Sequence, residues 1–312
     1  MALLIPHFRS LRRLFCAAAV LLSSLPVSAE TFALPPPGQD LVGEVRITRA
    51  RQSDTLLDIA RVFNLGYEEI VRANPGVDRW LPGQDTHVIL PNLLILPDAP
   101  RDGIVLNVPE MRLYYYPKPG QGETPVVITH PVSVGRMDWK TPLGKTRVIQ
   151  KQADPPWYPP ASIKAEHAQN GDILPDMVPG GPGNPLGRFA LRLGIPGYLI
   201  HGTNKEYGIG MQVTHGCVRL YPEDIERLYS LVEVGTPVYI INQPVKVGRH
   251  FDGLYIEAHP AMNELSDGSS SPQALTLLNI AATAEQLSTE LNPSAVQLAL
   301  QQSDGIPLRI SH

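Results

Sequence analysis

Short apolar runs separated by polar and turn residues dominate the chain, and they predict a mainly β protein. Val45 and Ile47 alternate with charged neighbours, as a half-buried strand does. Leu56, Leu57, Ile59, Ala60 and Phe63 then recur at helical spacing behind Ser53 and Asp54, either of which can cap a helix. Glu68 to Asn74 gives a second short helix, stopped by Pro75-Gly76, and His87 to Leu90 a strand closed by Pro91. Residues 44–91 thus read as a small strand–helix–helix–strand unit. Residues 30–43 read as a Pro-rich lead-in, and residues 92–100, with Pro97 and Pro100, as a linker.

Residues 101–242 are strand-rich. Gly103 to Val108 and Arg112 to Tyr116 flank Pro109-Glu110 as a hairpin. Val126 to Val134, Thr146 to Lys151, Phe189 to Leu193, Tyr198 to His201 and Pro237 to Ile241 continue the series. One clear helix, Pro222 to Val232, starts with Pro222, Glu223 and Asp224 against the positive end of its dipole. Its buried stripe is Ile225, Leu228, Tyr229 and Val232. Many strands with one main helix point to a β-sandwich-like domain. Residues 152–187 interrupt it with eight prolines and five glycines around a short helix, Ser162 to Gln169. A connection that long inside a domain is usually functional. Residues 243–312 predict an α/β extension, with helices over Ala281 to Leu291 and Pro293 to Gln302 and a closing strand, Ile306 to Ile310.

Composition narrows the function. The net charge of −4 argues against electrostatic nucleic-acid binding. Two cysteines, Cys16 and Cys217, exclude a disulfide scaffold and any four-cysteine metal module. Arg9, Arg12 and Arg13 precede the apolar run Leu14 to Leu25, and Val27-Ser28-Ala29 follows, as in a cleaved signal peptide over residues 1–29. A membrane anchor is the competing reading; the run of about 12 residues falls short of the ~20 needed to span. Cleavage would discard Cys16 and leave Cys217 as the one thiol of an exported chain.

That thiol stands in Ile200-His201-Gly202-Thr203 … Val213-Thr214-His215-Gly216-Cys217-Val218-Arg219-Leu220. A thiol needs a base or a cation beside it to act as a nucleophile near neutral pH. His201 ends a predicted strand, and the intervening residues allow a loop and return that bring it to Cys217. Gly202 and Gly216 let backbone groups approach a reacting carbonyl, and the Gly216 and Cys217 amides are candidate oxyanion donors. Two other readings stand beside this one: a zinc site from His201, His215 and Cys217, and a buried inert cysteine with satisfied histidines.

His-Gly-Thr followed by Thr-His-Gly-Cys-Val-Arg-Leu resembles the signature of the YkuD-type L,D-transpeptidases. Thr141-Pro142-Leu143-Gly144 and Gly181-Pro182-Gly183-Asn184-Pro185-Leu186-Gly187 add to it. The overall layout is similar to the ErfK/YbiS/YcfS/YnhG group of the Gram-negative periplasm. In residues 44–91, Asp54-Thr55-Leu56, Ile59-Ala60, Phe63, Asn74, Pro82-Gly83-Gln84 and Val88-Ile89-Leu90-Pro91 resemble a LysM module. That resemblance implies affinity for the N-acetylglucosamine backbone of peptidoglycan; an α/β unit without such affinity is the plainer reading.

The family resemblance implies that Cys217 attacks the diaminopimelate carbonyl of a stem tetrapeptide and releases D-alanine. His201 is then base and acid, with the Gly202 carbonyl orienting it. Thr214, Gly216 and His215 support the site, and a direct-base role for His215 stays open. Arg219 binds a substrate carboxylate or pairs with Asp224. Apart from the resemblance, transfer requires that water be kept from the thioester, which makes residues 152–187, with Trp157 and Tyr158, the candidate cover. The acceptor is a second stem peptide, giving a 3–3 cross-link, or a lipoprotein lysine. Water as acceptor would make a carboxypeptidase, and a non-catalytic wall-binding protein is the remaining alternative. The implied chemistry uses no cofactor and no metal.

Overall fold

The computed structural model describes residues 30–136, 139–262, 285 and 289–312. The leader with Cys16, and most of the helix expected over Ala281 to Leu291, lie outside the described residues. The chain begins with strands Glu30–Ala33 (β1), Leu41–Val42 (β2) and Val45–Arg49 (β3). Helices Leu56–Val62 (α1) and Tyr67–Ala73 (α2) follow, then His87–Pro91 (β4) and Leu94–Ile95 (β5). β3 and β4 pair antiparallel, and α1, α2 and the turn between them bury Leu56, Ile59, Leu65 and Ile70 against Val88 and Leu90. Thr55, rather than Ser53 or Asp54, caps α1. Its hydroxyl accepts from the Asp58 N–H at 3.1 Å while Asp58 accepts from the Thr55 N–H at 2.8 Å, a reciprocal capping box.

The main body holds Gly103–Asn107 (β6), Arg112–Tyr116 (β7), Val126–Pro131 (β8), Val134–Gly135 (β9) and Gly144–Ala153 (β10). Helix Ala161–Gln169 (α3) is followed by Phe189–Leu193 (β11), Leu199–His201 (β12), Gln212–Thr214 (β13) and Val218–Arg219 (β14). Helix Pro222–Leu231 (α4) and strand Pro237–Ile241 (β15) complete it. Nine strands form one mixed sheet in the order β1-β8-β7-β6-β15-β10-β11-β12-β14. The mainly β expectation with one main helix holds. One face carries Ile104, Leu106, Leu113, Leu191, Ile200 and Val218, covered by Ile225 and Leu228 of α4. The other carries Val105, Tyr114 and Val127 against Val42, Leu94 and Leu96.

Two boundaries need correction. Residues 30–33 are not a loose lead-in but the edge strand β1, paired with β8. Residues 92–100 are not a free linker, since β5 pairs with β2 and Leu94, Ile95 and Leu96 are buried. The physical reason is the second apolar face of the sheet, which those side chains cover; flanking prolines gave no sign of it.

Strands Val245–His250 (β16), Gly253–Ala258 (β17) and Leu308–Arg309 (β18), with helix Pro293–Gln302 (α5), form the C-terminal extension. Asn292 caps α5 through the Ala295 N–H at 3.1 Å. Val245, Leu254, Ile256, Ala299 and Ile310 make its small core.

The strand–helix–helix–strand unit is docked, not tethered. Arg112 of β7 is buried and ion-pairs with Glu69 of α2 at 2.6 Å. The first amides of α2, on Tyr67 and Glu68, donate to the carbonyls of Ile209 and Gly210 at 3.1 and 3.2 Å. A Cβ on Gly210 would lie 2.3 Å from the Gly66 Cα, so the approach requires glycine there. The unit therefore braces the segment that runs from His201 to Cys217.

Candidate active site

β12 and β14 pair in parallel at the edge of the sheet, with Ile200 opposite Val218 and His201 opposite Arg219. Registered partners share a face, and residues two apart on a strand share it too. Cys217 immediately precedes β14, so the pairing brings it to the strand edge that carries His201. The chain return expected from the sequence is a parallel pairing.

His201 is 3% exposed, and its Nδ1 lies 2.6 Å from the Gly202 carbonyl oxygen. A carbonyl only accepts, so Nδ1 carries the proton and Nε2 keeps its lone pair. Burial, with the Arg219 charge adding to it, lowers the imidazole pKa to about 3; the Gly202 and Leu186 carbonyls oppose that shift. Burial pushes the Cys217 thiol up, against the Leu199 backbone and the Arg219 guanidinium. Both groups are therefore neutral near pH 7, and the thiol rests 3.7 Å from the Gly197 carbonyl. This arrangement suits proton transfer during attack rather than a standing thiolate–imidazolium pair.

The turn before the nucleophile is tightly made. Gly216 has φ +98°, and a Cβ there would come within 2.8 Å of the Tyr198 ring. The Thr214 hydroxyl donates to the Cys217 carbonyl at 2.6 Å and accepts from the Gly216 N–H at 3.2 Å. The Thr141 hydroxyl donates to the Gly216 carbonyl at 3.0 Å. The Gly216 amide is thus occupied, which corrects its reading as an oxyanion donor; the Cys217 amide remains the candidate.

His215 turns away to Glu166 of α3, with Nε2 2.8 Å from Oε2, and meets the Trp139 ring edge-on at 5.1 Å. Its ring and that of His201 are committed to different partners. This separates their roles and leaves the zinc reading without a common focus. Arg219 does not pair with Asp224, which faces His130 at 3.2 Å. Its Nε is buried without an acceptor, and among the described residues it joins no ion pair. Trp157 bridges to Val178 at the base of residues 152–187, and Tyr158 is 67% exposed. Neither joins the hydrogen-bond network of Cys217. Glu166 escaped the sequence reading, because nothing local to it signals a partner 49 residues away.

Residues 101–240 match the family model for the L,D-transpeptidase catalytic domain, YkuD. Over 303 residues the chain is 39% identical to the probable L,D-transpeptidase YcfS of Escherichia coli, covering 95% of this chain and 93% of that one. It is 40% identical over 310 residues to the probable L,D-transpeptidase YbiS of the same organism, covering 96% and 99%. The chain belongs to the L,D-transpeptidase family. Among solved structures, L,D-transpeptidase 3 from Mycobacterium tuberculosis aligns over 71% of this chain and 98% of its own, at 18% identity and TM-score 0.32. Within an L,D-transpeptidase, the neutral pair gives a clear pH expectation. Alkylation of Cys217 by iodoacetamide should climb only above the usual thiol pKa of about 8.5. Acylation should show no acid limb from His201 between about pH 5 and 8, since that ring loses its base form only near pH 3. A plateau of alkylation extending below pH 7 would reveal a standing thiolate and overturn this assignment.

Proposed function

We propose that the chain is a periplasmic, cysteine-dependent peptidoglycan L,D-transpeptidase. The observation that carries this reading is the registered β12–β14 edge, which sets His201 opposite Arg219 with Cys217 immediately before the paired residues. Sγ of Cys217 attacks the diaminopimelate carbonyl of a stem tetrapeptide while its proton passes to Nε2 of His201. The Cys217 amide holds the oxyanion. His201 then protonates the leaving amine, the C–N bond breaks, D-alanine departs and a thioester remains. An acceptor amine attacks that carbon, its proton returns through His201 to sulfur, and the C–S bond breaks. Arg219, half-buried with its Nε unpaired, receives a carboxylate of the substrate. Residues 44–91, read as a LysM module, hold the glycan, and residues 1–29 direct export.

The test is incubation of the mature protein with disaccharide tetrapeptide, followed by mass spectrometry. Cross-linked dimers support transfer to a second stem peptide. Tripeptide alone would replace the transferase by a carboxypeptidase. Dimer-free reactions that instead modify a peptide ending in lysine would assign a lipoprotein-type acceptor. Unchanged tetrapeptide would overturn the reading.

A further inference from the structure

Helix α3 sits in the middle of residues 152–187, a segment closed on itself. Trp157 and Val178 exchange two backbone hydrogen bonds of 2.8 Å, and the Asn184 side-chain amide donates to the carbonyls of Pro155, Val178 and Pro179. Among the described residues, two polar side-chain contacts run from α3 to the stretches flanking the nucleophile, and both end on Oε2 of Glu166. One comes from Nη2 of Arg136 at 2.6 Å, the other from Nε2 of His215 at 2.8 Å. Arg136 follows β9 and His215 follows β13, and those strands pair with each other. The Arg136 N–H also donates to the Thr214 carbonyl at 2.9 Å. One carboxylate thus joins the segment to the two chain stretches that hold the turn before Cys217.

We propose that Glu166 is a positioning residue that keeps α3 seated beside the nucleophile and so sets how often water, rather than an amine, resolves the acyl-enzyme. This rests on the thioester mechanism above. Both fates break the same C–S bond at the same carbonyl carbon and return a proton to sulfur through His201. They differ in whether an amine nitrogen or a water oxygen forms the new bond. The catalytic groups are shared, so the choice turns on which nucleophile reaches the thioester, and a seated cover limits water. The carboxylate is built to persist. Hydrogen bonds from Arg136 and then His215 hold its pKa at about 2, so it keeps its charge through mildly acidic conditions.

The experiment measures cross-linked dimer and tripeptide from disaccharide tetrapeptide, with the Cys217 adduct followed by intact mass. The ratio is counted per acyl-enzyme formed, so loss of folded protein does not move it. Glu166→Gln is expected to raise the hydrolysed share about threefold or more while slowing acylation no more than about twofold. His215→Ala should shift the ratio in the same direction, and the double variant should add little, because both act through one contact. Lys164→Met on the same helix breaks only the pair with Asp176 inside the segment and should leave the ratio in place. An unchanged ratio in Glu166→Gln, or full additivity with His215→Ala, overturns the proposal alone. Absence of any adduct on the unsubstituted protein overturns it together with the thioester mechanism.

Discussion

His201→Gln is expected to slow acylation of Cys217 by about 10²–10⁴-fold, the usual worth of a positioned general base. The expectation follows from the resting state of the pair. Burial keeps the thiol protonated, so attack needs a group that takes the proton as the C–S bond forms. In the proposed mechanism Nε2 of His201 is that group, since Nδ1 is spent on the Gly202 carbonyl. Glutamine can fill the space and reach a backbone carbonyl, but its amide cannot accept a proton near neutral pH. Cys217→Ala should abolish the adduct altogether. His215→Gln should cost less than about tenfold, because that ring faces Glu166. Adduct formation with a carbapenem, timed by intact-protein mass spectrometry, measures all three. Equal losses in His201→Gln and His215→Gln would move the base to His215.

The contrast between these histidines shows what a sequence can and cannot carry. The cluster around Cys217 was legible as a candidate site, because the thiol and two histidines lie within one short stretch. The carbonyl partner of His201, the next residue in the chain, was implied by the family resemblance and is present at 2.6 Å. What joins distant residues was not legible. Gly103–Asn107 is buried along its whole length, because both faces of the sheet are covered, so its run shows no alternation to say what lies on either side. Leu94 to Leu96 therefore looked like a linker while acting as part of the second layer. Arg219 kept two readings in sequence; only the tertiary pairing of Asp224 with His130 separates them. The Gly216 amide looked open until the Thr214 hydroxyl, two residues away, was seen to accept from it.

Lys246→Met is expected to destabilise the fold by about 3–5 kcal/mol, the usual cost of removing one partner from a buried ion pair. Lys246 lies on β16 of the C-terminal extension and is fully buried. Its Nζ reaches Glu257 of β17 at 2.6 Å, Glu110 of the β6–β7 turn at 2.9 Å and the Ile95 carbonyl of β5 at 2.7 Å. Glu257 in turn accepts from the Ile95 N–H at 2.6 Å and lies 2.7 Å from Nε2 of His259. One ammonium thus occupies the acidic cluster of Glu110, Glu257 and His259 and ties the extension to the catalytic sheet. Burial is the largest influence on the Glu110 carboxyl and raises it, but the Lys246 charge, the neighbouring His259 and hydrogen bonds from Tyr114 and Lys246 together outweigh it and hold the group below the usual carboxylate range. A depressed carboxylate stabilises the fold above its unfolded pKa of about 4.3, and that contribution fades as pH falls below it. Methionine fills the volume and leaves two buried carboxylates side by side without their cation. Neutralising them as well, in Lys246→Met with Glu110→Gln and Glu257→Gln, should recover much of the loss, because the cost lies in the unpaired charges. Urea denaturation of the three proteins decides the matter. A loss under about 1 kcal/mol in Lys246→Met, or no recovery in the triple variant, would show that the extension is held by its apolar contacts instead.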